Sequence, residues 1–166
     1  LTANRLRTGH IETPDDVAKL LREADEELFY KTRGRSQTTA TIALKIENEL
    51  YVINAGDSPA YLMTDGDCVG LARLDKDPHN PVAITNAVGK GAGFGYHINQ
   101  IQLQSGDRLV IATDGITDNL YPTEIADAVY TRKTPRGAVN GIVRLLERKR
   151  NVRMGRDDVF GLFKDD

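Results

Sequence analysis

The sequence predicts an α+β domain built as an antiparallel β-sandwich flanked by helices. Three observations predict it. An amphipathic helix opens the readable pattern, a run of short period-two segments with turn chemistry between them follows, and two helical stretches precede one last apolar segment.

Residues 1–9, LTANRLRTG, read as the tail of a helix ended by Gly9, so the chain is expected to begin inside a domain. Thr13, Pro14 and Asp16 supply a helix start, and Val17, Leu20, Leu21, Ala24 and Leu28 recur at helical spacing up to a stop at Gly34. Over 38–46 the period changes to two, with Ala40, Ile42, Leu44 and Ile46 on one face. Strands at 50–54, 60–64 and 68–72 follow, separated by Glu47-Asn48, Gly56-Asp57 and Asp65-Gly66, and such short spacing predicts an antiparallel meander. Residues 75–95 hold Pro78, Pro81 and a series of glycines without a sustained period, which predicts a long surface loop. The segment 96–102 alternates again, and 108–113 is an apolar strand running into Asp114-Gly115. Ser105-Gly106-Asp107 between them predicts a hairpin. Helices over 122–130 and 135–149, the second with Ala138, Ile142, Leu145 and Leu146 on one face, and a strand over 159–164 complete the chain.

A chain of 166 residues, 40% of them hydrophobic, fits one globular domain. Its net charge of -2 over 28% charged residues creates no global field, so composition gives no case for nucleic acid or an anionic membrane as partner. The longest apolar runs, such as 109–112, fall far short of the roughly 20 residues that span a bilayer. No transmembrane segment or signal peptide is expected. The single Cys68 excludes an intrachain disulfide and a multi-cysteine zinc site and suits a reducing compartment, with the cytoplasm as the expected location.

Two aspartates stand where a strand meets a turn: Asp114 at the end of LVIATDG, and Asp157 in GRDDVF ahead of the last strand. Carboxylates fixed at strand ends suit hard cations, Mg²⁺ or Mn²⁺, whereas three histidines and one cysteine lack zinc-site spacing. Two such ions, about 3.5–4 Å apart, clamp a phosphoryl group and activate a water for attack on phosphorus. An Asp-Gly pair by itself is more often a turn former.

Five segments in order make the pattern specific: SQTTATIAL at 36–44, LYVINAGDSPAYL at 50–62, LDKDPHNP at 74–81, SGDRLVIATDGITDNL at 105–120 and GRDDVFGLF at 155–163. Together they resemble the metal-dependent type 2C (PPM) protein phosphatases. The resemblance implies α-β-β-α layers and hydrolysis of phosphoserine or phosphothreonine on a phosphorylated protein substrate, with two Mg²⁺ or Mn²⁺ ions and a weaker third in some members. Carried over residue by residue, Asp114 and Asp157 match the aspartates of the second ion. Asp75, with Asp118 and Asp114, matches the ligands of the third, although Asp77 lies only two residues from Asp75. Asp57 matches a residue that shapes its turn.

The departures are as specific. The family's opening strands, with an acidic residue, a phosphate-binding Arg and the Asp-Gly that bridges both ions, have no counterpart. Residue 1 is expected to lie just beyond that Asp-Gly, the 166 residues forming one phosphatase-like catalytic domain that is incomplete at its N-terminus. The alternative is a catalytically inactive pseudophosphatase acting as a regulatory binding module. Pro59 and Phe160 replace the family's Arg and Thr or Ser, and 75–95 is a shortened flap.

Other signals carry less. GKGAGFG at 89–95 lacks the Lys-Ser/Thr ending of a phosphate loop and leads into a strand. Cys68 has only four residues before Arg73, so a core thiol is expected rather than a cysteine phosphatase. His79 is expected as a solvated loop residue, and the basic cluster Arg144, Arg148, Lys149, Arg150, Arg153 and Arg156 as a solvated helix end.

Overall fold

The computed structural model describes residues 11–154; the expected helix tail at 1–9, Asp157 and the strand at 159–164 lie outside them. Helix α1, Pro14–Thr32, starts on a reciprocal cap. The Asp16 N–H donates to Thr13 Oγ1 at 3.2 Å, and the Asp16 carboxylate accepts the Thr13 N–H at 2.9 Å. The chain leaves it through Arg33 and Gly34, both at positive φ, with the Gly34 N–H returning to the Phe29 carbonyl at 2.9 Å.

Among the described residues eight strands follow: β1 Ala40–Ile46, β2 Glu49–Ala55, β3 Ala60–Thr64, β4 Asp67–Gly70, β5 Lys76–Asp77, β6 Asn80–Ile84, β7 His97–Gln102 and β8 Arg108–Ile111. Helices α2 Asp114–Thr117, α3 Pro122–Tyr130 and α4 Pro135–Met154 end the described chain. One sheet has the order β1-β2-β7, a second β4-β3-β8, and β5-β6 form a separate two-stranded pair. All pairings are antiparallel.

Three expectations need correction. The meander breaks between β2 and β3, which belong to different sheets, and the residues between them cross from one sheet to the other. The segments 96–102 and 108–113 likewise do not form a hairpin: β7 pairs with β2 and β8 with β3. A tight turn does join them, with the Gln104 N–H on Asp107 Oδ2 at 2.8 Å, but it turns a corner of the sandwich. Period-two patterning fixes faces and not partners, so both readings fit the same local sequence. Finally, the loop at 75–95 contains the β5-β6 hairpin, whose strands are too short to show a period.

Each sheet is covered on both faces. Val17 and Leu21 of α1 pack with Ile53 and Ala55 of β2, and Ala40, Ile42 and Leu44 of β1 join them. Between the sheets lie Leu50, Val52, Ala60, Leu62 and Leu71, with Ala43, Ile101 and Leu109 packed against them. Outside the second sheet, Met63 meets Leu120, Ile125, Val129, Ala138 and Ile142 from the α2 to α4 region. The layers are therefore helix, sheet, sheet, helices, and each fully buried Ile or Leu contributes about 1.5–3 kcal/mol. Asn54, 1% exposed, is a polar residue in this interior; its amide donates to the Arg73 carbonyl at 2.6 Å and ties the segment leading to the β5-β6 hairpin to β2.

Candidate metal centre

Strand β8 delivers Asp114 to the edge of the sandwich. The Ala112 N–H donates to the Pro59 carbonyl at 3.1 Å, extending the β3 pairing to the point where the chain turns into α2. Leu120 is buried and Ile116 packs against the same outer core, so the α2 segment is anchored from behind. The Asp118 N–H closes on the Asp114 carbonyl at 2.7 Å, which puts the two aspartates one turn apart on a shared side. Both side chains are exposed. Among the described residues Asp114 Oδ1 accepts only the N–H of the next residue, Gly115, at 2.8 Å. An exposed carboxylate with an open oxygen, on a backbone fixed by sheet and core, fits the part of a ligand to a hard cation.

Asp75 is placed differently. Its side chain is 10% exposed and both oxygens are engaged. Oδ2 accepts the Gly56 N–H at 2.9 Å and the Asn86 amide at 2.8 Å, and Oδ1 lies 2.9 Å from His97 Nε2. Burial pushes its pKa up, but the bonds from Asn86, Gly56 and His97 outweigh it and leave the carboxyl below its ordinary value. The backbone is tied as well: the Asp75 N–H reaches the Gly56 carbonyl at 3.1 Å and its carbonyl accepts the Thr85 N–H at 2.7 Å. Gly56 sits at φ 102°, and a Cβ there would lie 2.5 Å from Thr39 Cγ2, so only glycine lets β2 end against β1 and offer its N–H to Asp75. Asp77, the competing residue, spends Oδ1 on the N–H groups of His79 and Asn80 at 2.7 and 3.3 Å, shaping the β5-β6 turn.

Between these aspartates stands Lys76, which the sequence reading did not single out. Its ammonium lies 3.6 Å from Asp57 Oδ2 and 4.0 Å from Asp118 Oδ1. Asp57 is buried, so what looked like a turn residue also holds a cation. Among the described residues no three His, Cys, Asp or Glu side chains converge on a point where an ion could sit, and the Asp75 oxygens are on Gly56, Asn86 and His97 rather than turned to Asp114 and Asp118. Asp157, the partner expected for Asp114, lies outside the described residues.

The remaining signals resolve into structure. The N–H groups of Gly89 and Gly91, at the start of the GKGAGFG segment, donate to Asp25 Oδ1 at 2.7 and 3.2 Å. These amides therefore serve a carboxylate of the protein itself. Asp25 was missed because it hides among the apolar positions of α1, and it is 3% exposed. A Cβ on Gly89 would meet the Ser36 carbonyl oxygen at 2.6 Å, so this close approach requires glycine. Cys68 is half-buried in β4 and burial raises its pKa, which makes it a core thiol. Lys149 of the basic cluster bonds the Asn119 carbonyl at 3.1 Å and Glu124 Oε2 at 2.6 Å, so it braces the segment behind Asp114. His79 is exposed, as expected for a loop residue.

Known proteins agree with this architecture. Residues 3–162 match the family described as Stage II sporulation protein E (SpoIIE). "Probable protein phosphatase 2C 62" of Arabidopsis thaliana is 37% identical over 120 residues, which is 69% of this chain and 15% of that protein. The chain thus spans a minor part of that relative's length. The PPM Ser-Thr phosphatase MsPP from Mycobacterium smegmatis, solved with cacodylate, superposes with a TM-score of 0.75 at 24% identity, covering 89% of this chain and 74% of that one. The catalytic domain of the serine threonine protein phosphatase PstP, solved with two manganese ions, gives 0.75 at 19% identity over 89% of this chain and 71% of that one. These structures share the fold. No helix among the described residues is long and apolar enough to cross a membrane. With the family match running along nearly the whole chain and the sandwich in place around Asp114, the chain belongs to the SpoIIE family of type 2C phosphatases.

Proposed function

We propose that the chain is the catalytic core of a metal-dependent phosphatase that removes phosphate from phosphoserine or phosphothreonine on a protein substrate. The observation that carries this reading is the Asp114 carboxylate, exposed at the end of β8 with one oxygen open, in a chain of this family. Asp114, with Asp157, would hold Mg²⁺ or Mn²⁺, and two ions are the expected number. Bound there, such ions polarise a phosphoryl group and lower the pKa of a water. The chain's own contribution is position. The Ala112 to Pro59 bond and the buried Leu120 hold the backbone on either side of Asp114, so the strand end that carries the carboxylate is fixed before a ligand arrives. The lone, half-buried Cys68 supports a cytoplasmic location.

The test is phosphate release from a phosphothreonine peptide by the full-length protein with Mn²⁺. Release is expected to stop with chelator, return with added Mn²⁺, and fall by about a hundredfold or more in Asp114→Asn, because losing several kcal/mol of transition-state stabilisation costs at least that much. Release that ignores the chelator would overturn the mechanism. No release at all from the full-length protein would favour a binding module.

A further inference from the structure

We propose that the ammonium of Lys76 stands in for a third metal ion at Asp118, so that this domain carries a fixed single charge where an exchangeable divalent ion would otherwise bind. The comparison with a third ion rests on the phosphatase reading above; the ion pair itself does not.

Three observations carry it. First, the ammonium already sits between two carboxylates, 3.6 Å from Asp57 Oδ2 and 4.0 Å from Asp118 Oδ1. Asp57 is 7% exposed on its side chain, so its negative charge needs a partner, and Lys76 is the one cation paired with it among the described residues. Second, an ion seated on Asp118 would approach its oxygen to about 2.0–2.6 Å. It would then lie within several ångströms of the ammonium, and the two positive charges would repel across that gap. Third, the aspartate that should complete such a site is already committed. Asp75 already accepts three hydrogen bonds, from Gly56, Asn86 and His97, so at most one lone pair, on Oδ1, is left for an ion, and any larger turn of the carboxylate toward Asp118 would break bonds at the end of β2. Lys76 is held in place by the same clasp, because it follows Asp75 directly and pairs with Ile84 in the hairpin.

Mn²⁺ titration of the full-length protein, with free ion read by electron paramagnetic resonance, counts bound ions without relying on activity. Lys76→Gln is expected to gain one weak ion over the wild type, and Lys76→Gln/Asp118→Asn to lose it again. Lys76→Arg, which keeps the charge, is expected to bind the wild-type number. Asp118→Asn alone changes an exposed side chain and is expected to leave the count unchanged. A wild-type protein that loses an ion on Asp118→Asn overturns the inference, because a third ion would then coexist with Lys76. So does a folded Lys76→Gln protein that gains none. Melting of the metal-free protein separates this inference from the phosphatase reading. Lys76→Gln is expected to melt a few degrees lower than wild type, with millimolar Mn²⁺ restoring the variant more than it stabilises the wild type. An unchanged melting temperature overturns the inference even where wild-type Mn²⁺ binding holds. Absent Mn²⁺ binding by the wild type, with the melting shift and its Mn²⁺ rescue present, overturns the phosphatase reading alone.

Discussion

Asp75 and Asp114 carry the same side chain and occupy opposite situations. Asp75 has three donors on its two oxygens and is 10% exposed, whereas Asp114 is exposed and holds only the N–H beside it. The difference teaches where a carboxylate's capacity goes. Buried among donors, it closes a fold by tying the β5-β6 segment to the end of β2. At a strand end facing water, it leaves an oxygen without a partner among the described residues.

The comparison breaks most visibly through substitution. Asp114→Asn should lower phosphatase turnover by about a hundredfold or more while moving stability by no more than about 0.5 kcal/mol, as for other exposed positions. Asp75→Ala should do the reverse. Denaturant unfolding should show a loss of about 2–3 kcal/mol, because a charge-assisted bond is lost and partly buried donors are left unpaired. Its Mn²⁺ affinity should stay within about twofold of wild type, well under the 1.4 kcal/mol that a tenfold change requires. If Asp75→Ala abolished Mn²⁺ binding and Asp114→Asn unfolded the protein, the two roles would be exchanged.

Much of this contrast was hidden in the sequence, and the reason is physical. Signals that act within a few residues were legible: the Thr13 cap, the two-residue turns at Glu47-Asn48 and Asp65-Gly66, β3 at 60–64 and α3 at 122–130 all stand where the pattern put them. Long-range choices were not. Whether β2 continues into a hairpin or crosses to the other sheet depends on partners 43 and more positions away, such as the Ile53 and Ile98 pair at 45. The candidate site divides in the same way. Asp114 was legible because a strand running into Asp-Gly is a local motif. The clasp of Asp75, Gly56, Asn86 and His97, and the reach of Lys76 to Asp57 and Asp118, join segments 11 to 42 positions apart that no local period connects.

A second committed carboxylate sharpens the rule without involving any metal. Asp25 is 3% exposed and takes the N–H groups of Gly89 and Gly91. Asp25→Ala should cost about 1–3 kcal/mol in denaturant unfolding, since two backbone donors lose a charged acceptor. Turnover per folded molecule should be unchanged. A stable Asp25→Ala protein would show that the glycine loop finds other acceptors, water included, and that commitment of a carboxylate is a weaker constraint than argued.

The smallest effect expected is in acid, where the same contrast should appear as a pH dependence. The bonds from Asn86, Gly56 and His97 hold the folded-state pKa of Asp75 below its ordinary value despite burial, so the folded state binds that proton less readily than the unfolded chain. A depressed carboxyl stabilises the fold fully above the unfolded value, about 3.9 for aspartate. The contribution shrinks as pH falls below that value and is gone once pH has passed the lower folded value. Asp75→Asn removes the titrating group while keeping an oxygen that can accept. The stability gap between wild type and Asp75→Asn should therefore be constant from about pH 5 upward and narrow on acidification through the usual carboxylate range. Urea unfolding of the two proteins at pH 7, 5, 4 and 3 checks this, and a gap that stays constant down to pH 3 would mean that the hydrogen bonds on Asp75 do not keep its proton off the folded state.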